Sequence, residues 1–294
     1  MARSAKLYAA VVAAAMAALL LTHRLVSPRG RLFVVTPTRD DLTRYAHLLY
    51  TAHALAHSSS ARSVEWVLLE DGEELDPSIA HLLKASGVKH HYVVAPSGLK
   101  SAHRGITQRN AALELIKQTG REGVVYFADD DNAYRPSLWH HLLAIANRRN
   151  TYTIFPVGNT GFYAHEGPVF VDAEQGDGKQ AIQQWCCDYC VRRWNVDMSG
   201  FAFHTSLLHE EATSSILFDP ASASGFLEND ILTRIEHIKS SSLVILPDLL
   251  DEIHVWHNFG SPFSKAAFYD PDWTTHASLS HKMHNKTDSV DTML

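Results

Sequence analysis

Gly123-Val-Val-Tyr-Phe-Ala-Asp-Asp-Asp-Asn132 is the stretch whose reading decides the fold. Val124 to Ala128 is an unbroken, β-prone run, the pattern of a strand buried on both faces of a parallel sheet. It leads directly into Asp129, Asp130 and Asp131. In open α/β sheets ligands bind beyond the carboxyl ends of the strands, which is where these carboxylates fall. Three adjacent carboxylates repel one another, and a shared positive charge relieves the repulsion. A hard divalent cation fits, because Mg²⁺ and Mn²⁺ take one or two carboxylates together with substrate phosphates. The plainer alternative is an acidic turn ahead of a helix beginning near Pro136, since aspartate serves well in turns and at helix N-termini.

Outward from this strand, a regular alternation emerges. Leu32 to Thr36 reads as a strand ending at Pro37. A helix follows, with Asp40 and Asp41 in its first turn and Leu42, Tyr45, Ala46 and Leu49 as its apolar face. Val64 to Leu69 is a strand, stopped by Glu70-Asp71-Gly72. Pro77 to Ala85 is a helix ended by Gly87, Tyr92 to Ala95 a strand, and Gln108 to Gln118 a helix. Pro136 to Arg148 is a further helix. Such βαβ spacing predicts an α/β fold with a mostly parallel sheet, residues 31–150 forming a nucleotide-binding half. Neither G-x-G-x-x-G nor a P-loop is present. Residues 151–277 are less regular: Tyr152 to Val157, Val169 to Val171 and Leu243 to Leu246 read as strands, and Gly225 to Ile238 as a helix. Residues 278–294 form a polar tail.

The 294 residues include 19 histidines and carry a net charge of −6, with no basic run of phosphate-contact type, so nucleic acid is not an expected partner. The three cysteines, Cys186, Cys187 and Cys190, lack a fourth ligand for a zinc site at their spacing and point instead to a local or cross-chain disulfide. Residues 1–6 precede an uncharged run at 7–22 whose apolar part, as helix, covers about 22 Å. That is short of a hydrocarbon core of about 30 Å, although flanking Arg and Lys can snorkel. A signal anchor is the preferred reading, a cleaved signal peptide or a buried helix the alternatives. Residues 23–30 make a short stem. Asn285-Lys-Thr287 is an N-glycosylation sequon, usable only in a secretory compartment.

Taken in order, Val35-Thr-Pro-Thr38, Trp66-Val-Leu-Leu-Glu-Asp71, Arg104-Gly-Ile-Thr-Gln-Arg-Asn110, Phe127-Ala-Asp-Asp-Asp-Asn132, Glu166-Gly-Pro168, Val196-Asp-Met-Ser-Gly-Phe-Ala202, Leu227-Glu228 and Val255-Trp-His257 resemble the β-1,3-glucuronyltransferase family. These are inverting glycosyltransferases of GT-A fold, and plant xylan-synthesis proteins are among them. The resemblance covers roughly residues 32 to 262. It implies a Rossmann-like UDP-sugar half, an acceptor half, and a type II Golgi membrane protein, single-pass, with its catalytic part in the lumen. Asp131 is then the Mn²⁺ ligand, with Asp129 facing the nucleotide and Asp130 the sugar. Asp71 contacts uracil, Arg104 and Arg109 the nucleotide sugar, and His257 the diphosphate. Glu228 is the catalytic base, and Glu166, Arg192 and Asp197 hold the acceptor. The implied reaction moves glucuronate from UDP-glucuronate to the 3-hydroxyl of a terminal galactose in a glycan acceptor, and a homodimer is implied by analogy.

Taken without the family, Asp71 and Asp197 are turn residues, Glu228 a first-turn helix carboxylate, Arg104 and Arg109 a solvated face, and His257 a core histidine. Three departures stand out. Arg39 replaces a tyrosine that stacks on uracil, Phe259 replaces an arginine near the donor, and Asp188 stands where a tryptophan is usual, although Trp185 is close. They admit UDP-xylose as an alternative donor, or a non-catalytic glycan-binding or scaffolding subunit.

Overall fold

The computed structural model describes residues 30–97, 105–158, 160, 165–171, 182–185, 192–209 and 216–257. The expected anchor, Arg104, the three cysteines, Asp188, Phe259, the sequon and the polar tail lie outside them. Among the described residues no helix is long and apolar enough to cross a membrane.

In chain order the elements are β1 (Leu32–Thr38), α1 (Arg44–Ala56), β2 (Val64–Glu70), α2 (Pro77–Ser86), β3 (His90–Val94), α3 (Ile106–Gln118), β4 (Val124–Phe127), β5 (Asn132–Tyr134), α4 (Ser137–Leu142), β6 (Thr151–Ile154), β7 (Val157–Gly158), β8 (His165–Glu166), β9 (Pro168–Val171), β10 (Ile182–Trp185), β11 (Phe201–His204), α5 (Leu227–His237), β12 (Ser242–Leu243), α6 (Pro247–Leu250) and β13 (Val255–His257). A seven-stranded sheet runs β12-β6-β11-β4-β1-β2-β3. β4, β1, β2 and β3 are mutually parallel, and β11 is antiparallel to both of its neighbours. The fold is therefore mixed α/β with a parallel sheet at its centre, as the βαβ spacing predicts.

Alternation along β1 explains the unbroken apolar runs. Leu32 and Val34 enter one buried cluster with Leu48, Leu83 and Trp139 from the helices on that face. Phe33 and Val35 enter the other, with Leu113 and Ile116 of α3 and Ile231 and Ile235 of α5. With helices on both faces, almost every position of β1, β2 and β4 is buried, and most of these positions are apolar. β1 runs through Pro37, contrary to the expected stop. Val35 C=O accepts from Ala128 N at 2.8 Å and Thr38 C=O from Asp71 N at 2.7 Å, so odd positions face β4 and even ones β2. The missing N–H of Pro37 thus faces β4, whose pairing with β1 ends at Val35–Phe127.

The face expected for α1 is wrong. Leu42 is 104% exposed, Leu49 51% and Tyr45 44%, and Ala46 is exposed as well. The buried face carries Arg44, Leu48, Thr51, Ala52 and Leu55. Arg44 is inside because it has partners there: Nη1 donates to Glu70 Oε1 at 2.7 Å, and Nη2 pairs with Asp76. Asp76 also caps α2, accepting from Ser78 N at 2.7 Å. Arg44→Met is expected to cost about 3–5 kcal/mol, because it leaves the buried Glu70 carboxylate without its cation, with only the Tyr92 hydroxyl still donating to it. Urea unfolding checks this, and a loss below about 1 kcal/mol contradicts the assignment.

The second half departs further. Tyr152 to Val157, expected as one strand, divides at Phe155-Pro156 into β6 of the main sheet and β7 of a small one ordered β5-β13-β7-β8. The strand expected at Leu243–Leu246 is only Ser242–Leu243, and α4 passes into a 3-10 turn at Leu143–Ile145.

Candidate active site

β4 delivers the aspartates to the carboxyl edge of the sheet. The ladder ends at Ala128, Asn132 N closes a turn on Asp129 C=O at 3.4 Å, and Asn132 opens β5, so the three carboxylates sit on a tight strand-to-strand turn. Tyr134 Oη fixes the turn by donating to Asp129 C=O at 2.7 Å. Asp129 is paired with Arg109 of α3, and Asp130 Oδ2 accepts from Thr38 Oγ1 at 2.6 Å. Burial, then the charges of Asp129 and Asp131, push Asp130 up to about 6 in spite of the Thr38 hydrogen bond. Asp131 is raised by burial and by Asp129, while the nearby His257 cation opposes the rise.

A cavity of about 470 Å³ opens above this turn. One wall is Pro37, Thr38 and Arg39, another Asp41, Thr43, Arg44 and His47, and a third Gly105, Gln108 and Arg109, with Asp71 and Asp129–Asp131 completing the rim. Asp71 is held by Ser97, whose N donates at 2.6 Å and whose Oγ donates at 2.9 Å. Gln108 Nε2 in turn donates to Ser97 Oγ at 3.1 Å and to Ala95 C=O at 2.5 Å. Gly105, at φ +78°, precedes α3, and a Cβ there would lie 2.4 Å from Arg109 Nη1. Only glycine lets the guanidinium pass so close to the backbone on its way to Asp129.

Glu166, Arg192, Asp197, Glu228 and His257 do not line this cavity; they form a second polar group that meets its rim. His257 Nε2 donates to Asp197 Oδ2 at 2.8 Å, and Asp197 Oδ1 accepts from Ser199 N at 2.9 Å. Burial works against the charged imidazole, but Asp197, then Asp129 and Asp131, raise His257 to about 9. Arg192 Nη1 donates to Glu166 Oε1 at 3.3 Å, and its guanidinium lies 5.5 Å from the centre of the Phe226 ring. Gly225, φ +77°, makes room: a Cβ there would sit 2.8 Å from Arg192 Nη2. Three residues after Gly225, in the first turn of α5, is Glu228. Desolvation first, then the Asp197 and Glu166 carboxylates, push Glu228 up to about 7, with Arg109 pulling the other way. Arg109 and His257 are thus the cations between the two carboxylate groups.

The structure brings together every described candidate: Asp71, Arg109 and Asp129–Asp131 at the cavity, and Glu166, Arg192, Asp197, Glu228 and His257 beside it. Arg39, standing in for the usual tyrosine, is at the cavity wall. Arg44, Ser97 and Gln108 are contributors that sequence reasoning missed. Arg44 was hidden by the misread helix face, and Ser97 and Gln108 carry no spacing signal.

The rim suits a hard divalent cation. Its donors are carboxylate oxygens, two of them raised by mutual repulsion and burial, the condition that a cation relieves. Among the described residues no three His, Cys, Asp or Glu side chains form a ready metal cage. A cation at this rim therefore takes one or two protein carboxylates and completes its shell from a ligand.

A parallel sheet with a polar cavity beyond its strand ends places the chain among the α/β proteins that bind ligands at that edge. A family model described as Glycosyltransferase family 43 matches residues 51–259, and the chain belongs to that family. Galactosylgalactosylxylosylprotein 3-beta-glucuronosyltransferase P of Drosophila melanogaster is 28% identical over 232 residues, covering 77% of this chain and 45% of that one. Galactosylgalactosylxylosylprotein 3-beta-glucuronosyltransferase 3 of Homo sapiens is 30% identical over 227 residues, covering 69% and 63%. The chain thus spans about half to two thirds of the length of these relatives. The crystal structure of S. aureus TarS 1-349 superimposes with a TM-score of 0.48 at 15% identity, covering 77% of this chain and 60% of that one. The resemblance stated from the motifs is borne out at the level of the family.

Proposed function

We propose that this chain is a Mn²⁺-assisted, inverting GT-A glycosyltransferase that moves glucuronate from UDP-glucuronate to the 3-hydroxyl of a terminal galactose. A Golgi lumenal setting, an N-terminal anchor and a homodimer belong to the same proposal. The observation that carries it is the pairing of a carboxylate rim at the cavity with a separate carboxylate, Glu228, both within reach of Arg109. Family membership and the names of the relatives support the glycosyl-transfer reading.

Asp131, with Asp129 beside it, would hold the cation, which when bound supplies positive charge to the departing diphosphate. Asp71, locked by Ser97, accepts from the imide N–H of the base. Arg109 and the cationic His257 face the phosphates and add fixed positive charge where negative charge develops. Glu166, Arg192 and Asp197 orient the acceptor sugar. In the reacting step the acceptor oxygen bonds to the anomeric carbon as the bond to the UDP oxygen breaks, and the acceptor proton passes to Glu228. One carboxylate suffices, because no sugar–enzyme bond forms.

A donor panel with Mn²⁺ and a galactose-terminated acceptor, using the full chain, tests the reading. Transfer from UDP-glucuronate is expected. Transfer from UDP-xylose alone replaces the donor, and glycan binding without any turnover replaces the enzyme by a scaffold.

A pH profile tests the base independently. Glu228 works only when deprotonated, so with its pKa near 7 kcat/KM falls about tenfold for each pH unit below that point and levels off above it. A profile flat from pH 5 to 8, a range of about three units around that value, removes Glu228 from the role.

A further inference from the structure

Two asparagine side chains hold the start of α5, and each grips backbone that is distant in sequence. Asn110 follows Arg109 on α3. Its Nδ2 donates to Phe218 C=O at 2.9 Å and its Oδ1 accepts from Phe218 N at 2.8 Å, across 108 residues. The Phe218 ring packs edge-on to Phe127 of β4, with ring centres 5.2 Å apart. The chain leading into α5 is therefore tied to the helix that carries Arg109 and the strand that delivers the aspartates.

Asn229, the residue after Glu228, makes the tie on the other side. Its Oδ1 accepts from Arg193 N at 2.8 Å and from Trp194 N at 3.1 Å, 36 and 35 residues away. Both partners are backbone N–H groups, so only the carbonyl end of the amide can meet them. The other end is also fixed: Nδ2 donates to Asp230 Oδ1 at 3.2 Å, and Asp230 Oδ2 accepts from Ser222 Oγ at 2.6 Å. α5 has no side-chain cap of its own, yet the asparagine in its first turn directs its oxygen to another segment. Seven residues on, along the same face, Glu236 Oε1 accepts from Arg193 Nη2 at 3.1 Å.

The segment held in this way carries two of the polar groups beside the cavity. Arg192 stands just before it, bonded to Glu166 and lying over Phe226, and Asp197 follows three residues after Trp194. Trp194 itself is fully buried, edge-on to Tyr152. We propose that Asn229 is a positioning residue for the acceptor: it holds the backbone at Arg193 and Trp194 against the helix that carries Glu228, and so fixes the spacing between that carboxylate and the Arg192 and Asp197 side chains. It rests on the roles proposed above for those three residues. Transfer needs the acceptor oxygen to meet the base and the anomeric carbon together, and a misplacement of about 1 Å costs about 10²-fold. Asn229 does not line the cavity, so donor binding does not depend on it.

The test compares Asn229→Ala, which removes the accepting oxygen, with Asn229→Asp, which keeps one in place. The full chain is assayed with Mn²⁺, UDP-sugar and a galactose-terminated acceptor, above the acid limb of the pH profile. Asn229→Ala is expected to lower kcat/KM for the acceptor by about 10²-fold, with donor KM and UDP affinity unchanged, and Asn229→Asp to recover most of that loss. Hydrogen exchange at the Arg193 and Trp194 amides, read without substrate, is expected to quicken in Asn229→Ala and to stay slow in Asn229→Asp. If the alanine chain does not fold, Asn229→Ser, too short to reach both N–H groups, takes its place. Equal losses for donor and acceptor make Asn229 a stability residue only and overturn the proposal. An active parent chain whose alanine variant keeps its acceptor kinetics removes the assignment alone, whereas a parent that transfers no sugar removes the proposed function and the assignment with it.

Discussion

Glu228→Gln is expected to lower turnover by about 10²–10⁴-fold, the scale for losing a general base, with donor affinity nearly unchanged. The two effects separate because Glu228 does not line the cavity that holds the donor in the proposed function. Glutamine keeps the shape, and it is neutral where the carboxylate is already half protonated near neutrality. The Asp197 and Glu166 charges that raise Glu228 therefore lose a repulsion, and the fold has no reason to suffer. Single-turnover kinetics alongside UDP titration provide the check. Near-normal turnover would show that the proton goes elsewhere, with Asp197 and Glu166 the carboxylates to examine next. The acid limb of the pH profile is expected to disappear in the same variant.

The second large effect is expected at the other side of Arg109. Asp131→Ala is expected to make UDP affinity the same with and without Mn²⁺, since no three described side chains can cage the ion without a ligand. Asp130 is less suited to stand in, because its Oδ2 is committed to Thr38, and Asp129 is committed to Arg109. Isothermal titration with UDP, with and without chelator, reads the difference directly. If Mn²⁺ still strengthens UDP binding in the variant, the ion is held by other residues and the assignment of Asp131 is lost. Removing a carboxylate raised by burial and by Asp129 relieves repulsion, so the thermal midpoint of the metal-free chain is expected to hold or rise.

Much of this site was legible because its residues follow strands that announce themselves. β1, β2 and β4 each hold an apolar run of four residues (Leu32–Val35, Trp66–Leu69 and Val124–Phe127), and Thr38, Asp71 and Asp129–Asp131 come within a few residues of the ends of those runs. What stayed illegible depends on contacts distant in sequence. Arg44 is buried because of Glu70 and Asp76, 26 and 32 residues away, and a periodicity argument that assumes apolar residues inward puts the opposite face of α1 in the core. Ser97 and Gln108 hold Asp71 through bonds spanning 26 and 11 residues. β5, β7, β8 and β13 have two or three residues each, too few to show a period, although they set His257 opposite Asn132. Pro156 marked the break between β6 and β7, and an apolar run read straight through it.

The outward stripe of α1 has a practical side. Leu42, Tyr45, Leu49 and Tyr50 are set in water by a helix whose inner face is pinned through Arg44, so the stripe cannot roll inward to hide. Greasy spots held open in this manner foster self-association in concentrated solution. Polar replacements at Leu42 and Leu49 are accordingly a mild route to a better-behaved sample, since Leu42 is fully exposed and Leu49 about half exposed.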